Sequence, residues 1–91
     1  MEASEVKITN EEEIVALIEK RGITLDDIRE AIAAGETTGK KLYRVDDDNR
    51  FLARAMVGKF NVYAEYSPDG DSFTVHTSYA HMVMLVSGDR G

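Results

Sequence analysis

The chain reads as an α+β domain: two short N-terminal helices packed on one face of an antiparallel β-meander of four to five strands. Three observations carry that expectation. Between Asn10 and Gly35, apolar residues recur at helical spacing between capping and stop signals. From Phe51 to Ser78, apolar and polar residues alternate with period two, as a sheet with one buried face requires. The breaks between the alternating runs are short and rich in turn formers, so successive strands are antiparallel neighbours.

The elements follow in order. Val6 and Ile8 alternate within residues 1–8, which suit an arm or a short edge strand. Asn10 stands as an N-cap with Glu13 at the third helical position, and Glu11, Glu12 and Glu13 complement the helix dipole. Ile14, Leu17 and Ile18, with Val15 beside them, form the first apolar stripe. Lys20 and Arg21 suit a helix C-terminus, and Gly22 stops it. Thr24 caps the second helix, Asp27 takes its third position, and Ile23 with Ile28 forms a hydrophobic staple. Ile28, Ala31 and Ile32 give the buried stripe, and Gly35 reads as the helix end.

Glu36–Gly39 reads as a connector. Strands are then expected at Lys41–Val45, Phe51–Val57, Phe60–Tyr66, Phe73–Ser78 and Tyr79–Val86. Asp46–Arg50, Gly58–Lys59 and Ser67–Ser72 form the breaks. Ala53, Ala55 and Ala64 on the apolar parity leave room for helices to lie close. All 91 residues form one domain, with 87–91 as a flexible tail. So small a core leaves a thin stability margin, which favours self-association or docking onto a partner.

Composition excludes several classes. The chain has no cysteine, which removes disulfides, thiolate metal sites and cysteine nucleophiles and suits a reducing cytoplasm. No apolar run is long enough to span a membrane, and the acidic start lacks the character of a secretory signal. The net charge of −6 lies wholly in residues 1–39, with ten acidic against four basic side chains. Residues 40–91 balance, and Lys40, Lys41, Arg44, Arg50, Arg54 and Lys59 form a local basic set. An acidic chain is poorly suited to general nucleic-acid binding, because phosphate contacts dominate that affinity.

The candidate chemistry lies on the polar parity. Arg54, Tyr63, Glu65 and His76 project from adjacent strands, where cross-strand neighbours come within roughly 5 Å. Such a set supplies acid, base and anion clamp. Its bland counterpart is an ordinary solvated sheet face with favourable cross-strand pairs. His76 and His81 are five apart and converge only if a bulge intervenes near Ser78–Ala80, so neither a metal site nor a cofactor is expected. The run Asp46–Asp48 lacks calcium-loop spacing and reads as a hairpin turn. Gly35–Lys41 lacks the glycine spacing and the flanking elements of a phosphate loop. Met82–Val86 is apolar on both parities. It is either a doubly buried strand or an edge that offers Met82, Met84 and Leu85 to a partner, with Tyr79 and His81 beside it.

The phrase Arg21-Gly22-Ile23-Thr24 with Asp27-Ile28, then Gly35-Glu36 and a strand meander, resembles small bacterial domains of unknown function near the BrnT-type and RelE-like ribonuclease toxins. The resemblance covers roughly residues 14–78. It implies RNA held on a basic sheet surface, with Arg54, Lys59, Tyr63 and His76 in the working positions. The acidic chain and Glu65 within that surface depart from the pattern.

The resulting expectation is a cytoplasmic, non-catalytic protein-interaction module, either a homodimer or an accessory subunit of a larger assembly. The alternatives are a toxin-like ribonuclease or RNA-binding domain using the polar sheet face, and a small-ligand binder using Arg54, Tyr63, Glu65 and His76 as an open cleft.

Overall fold

The computed structural model describes residues 1–44 and 47–82, and shows an α+β chain with two helices and a four-stranded antiparallel sheet. Helix α1 spans Glu11–Ile18 and α2 spans Leu25–Thr38, and single 3₁₀ turns occupy Ala3–Glu5 and Glu19–Arg21. The strands are β1 Leu42–Arg44, β2 Asp47–Val57, β3 Phe60–Asp69 and β4 Ser72–Met82, in the spatial order β1-β2-β3-β4. No helix among the described residues is long and apolar enough to cross a membrane.

One cluster of buried side chains draws on both helices and on the sheet. Ile14 and Ile18 of α1 and Ile28, Ala31 and Ile32 of α2 join Ala53, Val62, Ala64, Tyr66 and Val75 of the sheet. Val6 and Ile8 of the N-terminal arm belong to it as well, and Ile8 forms a single parallel bridge to Phe73. The α2 capping box is complete: the Thr24 hydroxyl accepts from the Asp27 N–H and the Asp27 carboxylate from the Thr24 N–H, both at 3.1 Å.

Several boundaries differ from the sequence expectation. Helix α2 does not end at Gly35. It continues through Glu36–Thr38 and stops at Gly39, which takes the left-handed φ of +75°. Gly35 is instead a buried position inside the helix. Asn10 precedes α1, and its carbonyl accepts from the Ile14 N–H at 3.0 Å, but its side chain makes no capping bond to the helix backbone. Its amide nitrogen donates to the Val75 carbonyl at 2.7 Å, and its amide oxygen accepts from the Val75 N–H at 3.0 Å. The side chain thus acts as one rung of a strand on the β4 edge, beside the Thr9–Phe73 and Phe73–Lys7 backbone bonds.

Strands β2, β3 and β4 are longer than expected. Strand β2 begins at Asp47, so most of the expected Asp46–Arg50 break is strand. Strand β3 runs on through Ser67 and Pro68 to Asp69, leaving a two-residue turn at Gly70–Asp71. Pro68 is tolerated there because the β2 register stops at Phe51–Tyr66 and asks no N–H of it. Both tight turns place a glycine first, Gly58 at φ +60° and Gly70 at +62°, as primed hairpin turns require. Strand β4 runs unbroken from Ser72 to Met82, so the expected division between Ser78 and Tyr79 is absent. Val83, Met84, Leu85 and Val86 of the expected final strand lie outside the described residues, as do Val45, Asp46 and the 87–91 tail.

A bulge in β4 explains why its parity reads differently from the sequence. Tyr66 pairs with Val75 while the adjacent Glu65 pairs with Thr77, which leaves His76 as the extra residue. Phe73 and Val75 face the core before the bulge, and Ser78 does so after it. Ser78 is therefore fully buried rather than part of the polar face, with its hydroxyl donating to the Tyr63 carbonyl at 2.7 Å. Tyr79 and His81 shift to the opposite face for the same reason.

Candidate functional site

The face turned away from the core carries Arg50, Leu52, Arg54 and Met56 on β2, Asn61, Tyr63, Glu65 and Ser67 on β3, and His76, Tyr79 and His81 on β4. The four sequence candidates all lie here, but they divide into two groups.

The first group is aromatic. Arg54 stands opposite Tyr63, which in turn stands opposite Tyr79. The Tyr63 and Tyr79 rings stack with centroids 5.0 Å apart and planes 18° from parallel. His81 meets both edge-on, at 5.8 Å and 5.6 Å. Offset stacking and edge contacts are the favoured aromatic geometries, and they fix a flat, half-exposed platform.

The second group is ionic. Glu65 stands opposite Leu52 and Thr77, not opposite an arginine. It accepts a 2.9 Å ion pair from Arg50, across one diagonal of the ladder. The same guanidinium lies 3.4 Å from Nδ1 of His76, whose Nε2 lies 2.7 Å from the Ser67 hydroxyl. A guanidinium only donates, so Nδ1 accepts and the neutral ring carries its proton on Nε2. Ser67 then accepts from the histidine. That polarity is opposite to a Ser–His nucleophilic pair, in which the imidazole must take the serine proton.

Neither Arg50 nor Ser67 was among the sequence candidates. Both were recoverable by extending the parity of Arg54 and of Glu65 outward, had the strands been drawn long enough. The bulge does bring His76 and His81 to the same face, but each has its own partners. No group of three or more metal-ligating side chains occurs among the described residues.

A third cluster lies on the core side of the sheet and was not expected. The Tyr66 hydroxyl donates to Glu36 at 2.6 Å, and Lys41 donates to the same carboxylate oxygen at 2.6 Å. The Lys41 ammonium also lies 4.4 Å above the centre of the Phe51 ring. Burial pushes the Glu36 carboxyl up, but the Lys41 and Tyr66 hydrogen bonds and the Lys41 charge together hold it below its usual 4.5. Burial, then the Glu36 hydrogen bond and charge, push the Tyr66 phenol well above its usual 10.0. The sequence hides this triad because Tyr66 reads as one more apolar-parity residue and Glu36 as part of a loop.

Beside these groups, an open depression of about 450 Å³ is lined by Lys40, Lys41, Leu52, Arg54 and Tyr63 among others. At the far end of the sheet, Phe60 pairs with Met82. These two are 44% and 59% exposed, and Met56 is 60% exposed. Compared with protein-family models, with curated proteins and with solved structures, the chain matches none of them.

Proposed function

We propose that the chain is a small, non-catalytic protein-interaction module of the cytoplasm, acting as a homodimer or as an accessory subunit. In this reading the two helices cover one face of the sheet and stop short of its Phe60–Met82 end. The observation that carries the reading is the exposure of Phe60 and Met82, cross-strand partners on the core-side parity of that end. Two large apolar side chains left exposed side by side at the end of a small sheet are characteristic of a contact surface. Beside them runs a groove of about 210 Å³, with Arg21, Gly22, Ile23 and Asp27 on one side and Val57, Phe60 and Ala80 on the other.

The polar face supports a binding role better than a catalytic one. Its glutamate is tied to Arg50, and its histidine is held between a cation and a hydroxyl it donates to. Multi-angle light scattering over a range of concentrations tests the reading. Self-association, or stoichiometric capture of one protein through this end, is expected. A monomer at all concentrations that captures nothing overturns it.

A second reading, an RNA-binding domain of toxin-like ancestry, is favoured by the stacked Tyr63–Tyr79 pair beside Arg54, since stacked aromatics with a neighbouring cation suit unpaired bases. Growth arrest on expression, relieved by His76→Ala or Tyr63→Ala, supports it. Harmless high-level expression of the unaltered chain argues it down.

A further inference from the structure

The described residues cover each sheet edge only in part. Along β4 the N-terminal arm bonds both backbone groups of Phe73, Asn10 takes both of Val75, and Arg21 donates to the Ser78 carbonyl. Along β2 the cover ends sooner. Strand β1 reaches only to Leu52, which it meets at Leu42. From Ala53 to Val57, no described strand lies on the outer side of β2.

Backbone groups on a strand alternate between its two neighbours. The Gly58–Lys59 turn closes on the Val57–Phe60 pair, so Val57, Ala55 and Ala53 bond to β3. Arg54 and Met56 therefore direct their N–H and C=O groups outward, along a line where no described strand lies. An open edge of this kind accepts a further strand. On the core side Ala53 is covered by Gly35 of α2, and beyond it the small, half-buried Ala55 puts little in the way of an incoming backbone.

Charge indicates what fits. Lys40 stands at one end of the open edge, Arg54 in its middle and Lys59 in the turn at its other end. Lys41 is neutralised by Glu36. The side chains of Lys40, Arg54 and Lys59 make no ion pair or hydrogen bond among the described residues. Among the described residues no carboxylate lines the depression that Lys40 and Arg54 share. In a chain of net charge −6 this edge is a local reversal of sign. A second copy fits it poorly. The acidic excess lies in residues 1–39, which form the helices and the arm already bonded to β4, and residues 40–91 balance to zero.

We propose that the Ala53–Val57 edge of β2 receives an extended acidic segment of a partner protein as an added strand, with Lys40, Arg54 and Lys59 meeting its carboxylates. The proposal rests on the interaction-module reading and names the partner's chemistry.

A fluorescein-labelled peptide alternating glutamate with valine, titrated against the full chain by anisotropy, tests it. Binding that weakens with added salt is expected, and so is slowed hydrogen exchange at the Arg54 and Met56 amides. Met56→Pro deletes an outward N–H and leaves the β2–β3 ladder intact, and should weaken binding by about tenfold or more. The double change Lys40→Glu with Arg54→Glu should do the same.

Undiminished binding to Met56→Pro without amide protection overturns strand addition and leaves only a charged patch. Equal binding of a lysine–valine peptide overturns the acidic partner, and tighter competing binding of oligouridylate assigns the edge to nucleic acid. No peptide binding by a chain that light scattering shows to self-associate removes this proposal and spares the interaction reading. No peptide binding by a strict monomer removes both.

Discussion

Gly35 of α2 lies so close to Ala53 of β2 that a Cβ built on the glycine would stand 2.8 Å from the Ala53 Cβ and 3.4 Å from the Tyr66 hydroxyl. A side chain at this position must therefore push helix and sheet apart. Gly35→Ala gains about 1 kcal/mol of helix propensity, yet overpacking of a tight contact costs about 1–3 kcal/mol. The expected outcome is a net loss of stability in urea unfolding, and a larger loss for Gly35→Val. A more stable Gly35→Ala variant would mean that the helix does not approach β2 as closely as described.

Asn10 distinguishes two roles by substitution. Were it a helix cap, aspartate would replace it without loss, since both residues cap well. Its amide instead donates to the Val75 carbonyl and accepts from the Val75 N–H. Asn10→Asp keeps the acceptor but sets a carboxylate against a carbonyl, so it should destabilise as much as Asn10→Ala or more. Each loss is expected at about 1–3 kcal/mol, from partly buried groups left unsatisfied. Hydrogen exchange at the Val75 amide should quicken in both variants.

The Glu36–Tyr66–Lys41 cluster sets two limbs of the pH–stability profile. The Glu36 carboxyl titrates lower in the folded chain than its usual 4.5, so the unfolded chain binds the proton first as pH falls. Its stabilising contribution is present above that value and is lost in more acid solution. The Tyr66 phenol titrates above its usual 10.0, so only the unfolded chain ionises readily just above that pH. That contribution is present below pH 10.0 and declines as pH rises beyond it. Urea midpoints across pH should show Glu36→Gln flattening the acid limb and Tyr66→Phe the alkaline one. Unchanged limbs would place the titrating groups elsewhere.

How much of this was legible follows from where the physics is local. The Thr24–Asp27 capping box, the helical stripes and the glycine turns depend on neighbours in sequence, and they stand where the residues put them. The order of the strands followed from short connections. The β4 bulge did not, because a single unpaired residue at His76 leaves no trace in a two-residue alternation and inverts every face after it. Ser78 turns into the core, and Tyr79 and His81 out of it, for that one reason. Gly35 looked like a helix stop because its use, close approach to Ala53, depends on a residue eighteen positions away. In the candidate site, Arg54, Tyr63, Glu65 and His76 were placed on one face correctly. Their partners Arg50 and Ser67 were not legible, since both lay in segments that read as turns.

The Ser67–His76 contact has a polarity that can be read directly. Arg50 at Nδ1 assigns the proton of the neutral ring to Nε2, leaving Ser67 without a base. Long-range ¹H–¹⁵N correlation at a pH where the ring is neutral should show the Nε2–H tautomer. A fluorophosphonate probe should fail to label Ser67. The Nδ1–H tautomer together with covalent labelling would reopen the catalytic reading.

The apolar end of the sheet separates a surface that serves the monomer from one that serves a partner. Phe60 and Met82 face each other across β3 and β4 and remain 44% and 59% exposed. Side chains that far out of the core contribute little to folding, and polar replacements at such positions usually shift stability by only about 0.5 kcal/mol. At a contact surface the same replacements set charges against an apolar partner and strongly disfavour association. Phe60→Glu with Met82→Glu should therefore leave the urea midpoint nearly unchanged while light scattering falls to the mass of a single chain. A lower midpoint with an unaltered mass would show that the two side chains hold the monomer together, and the interaction reading would lose the observation it stands on.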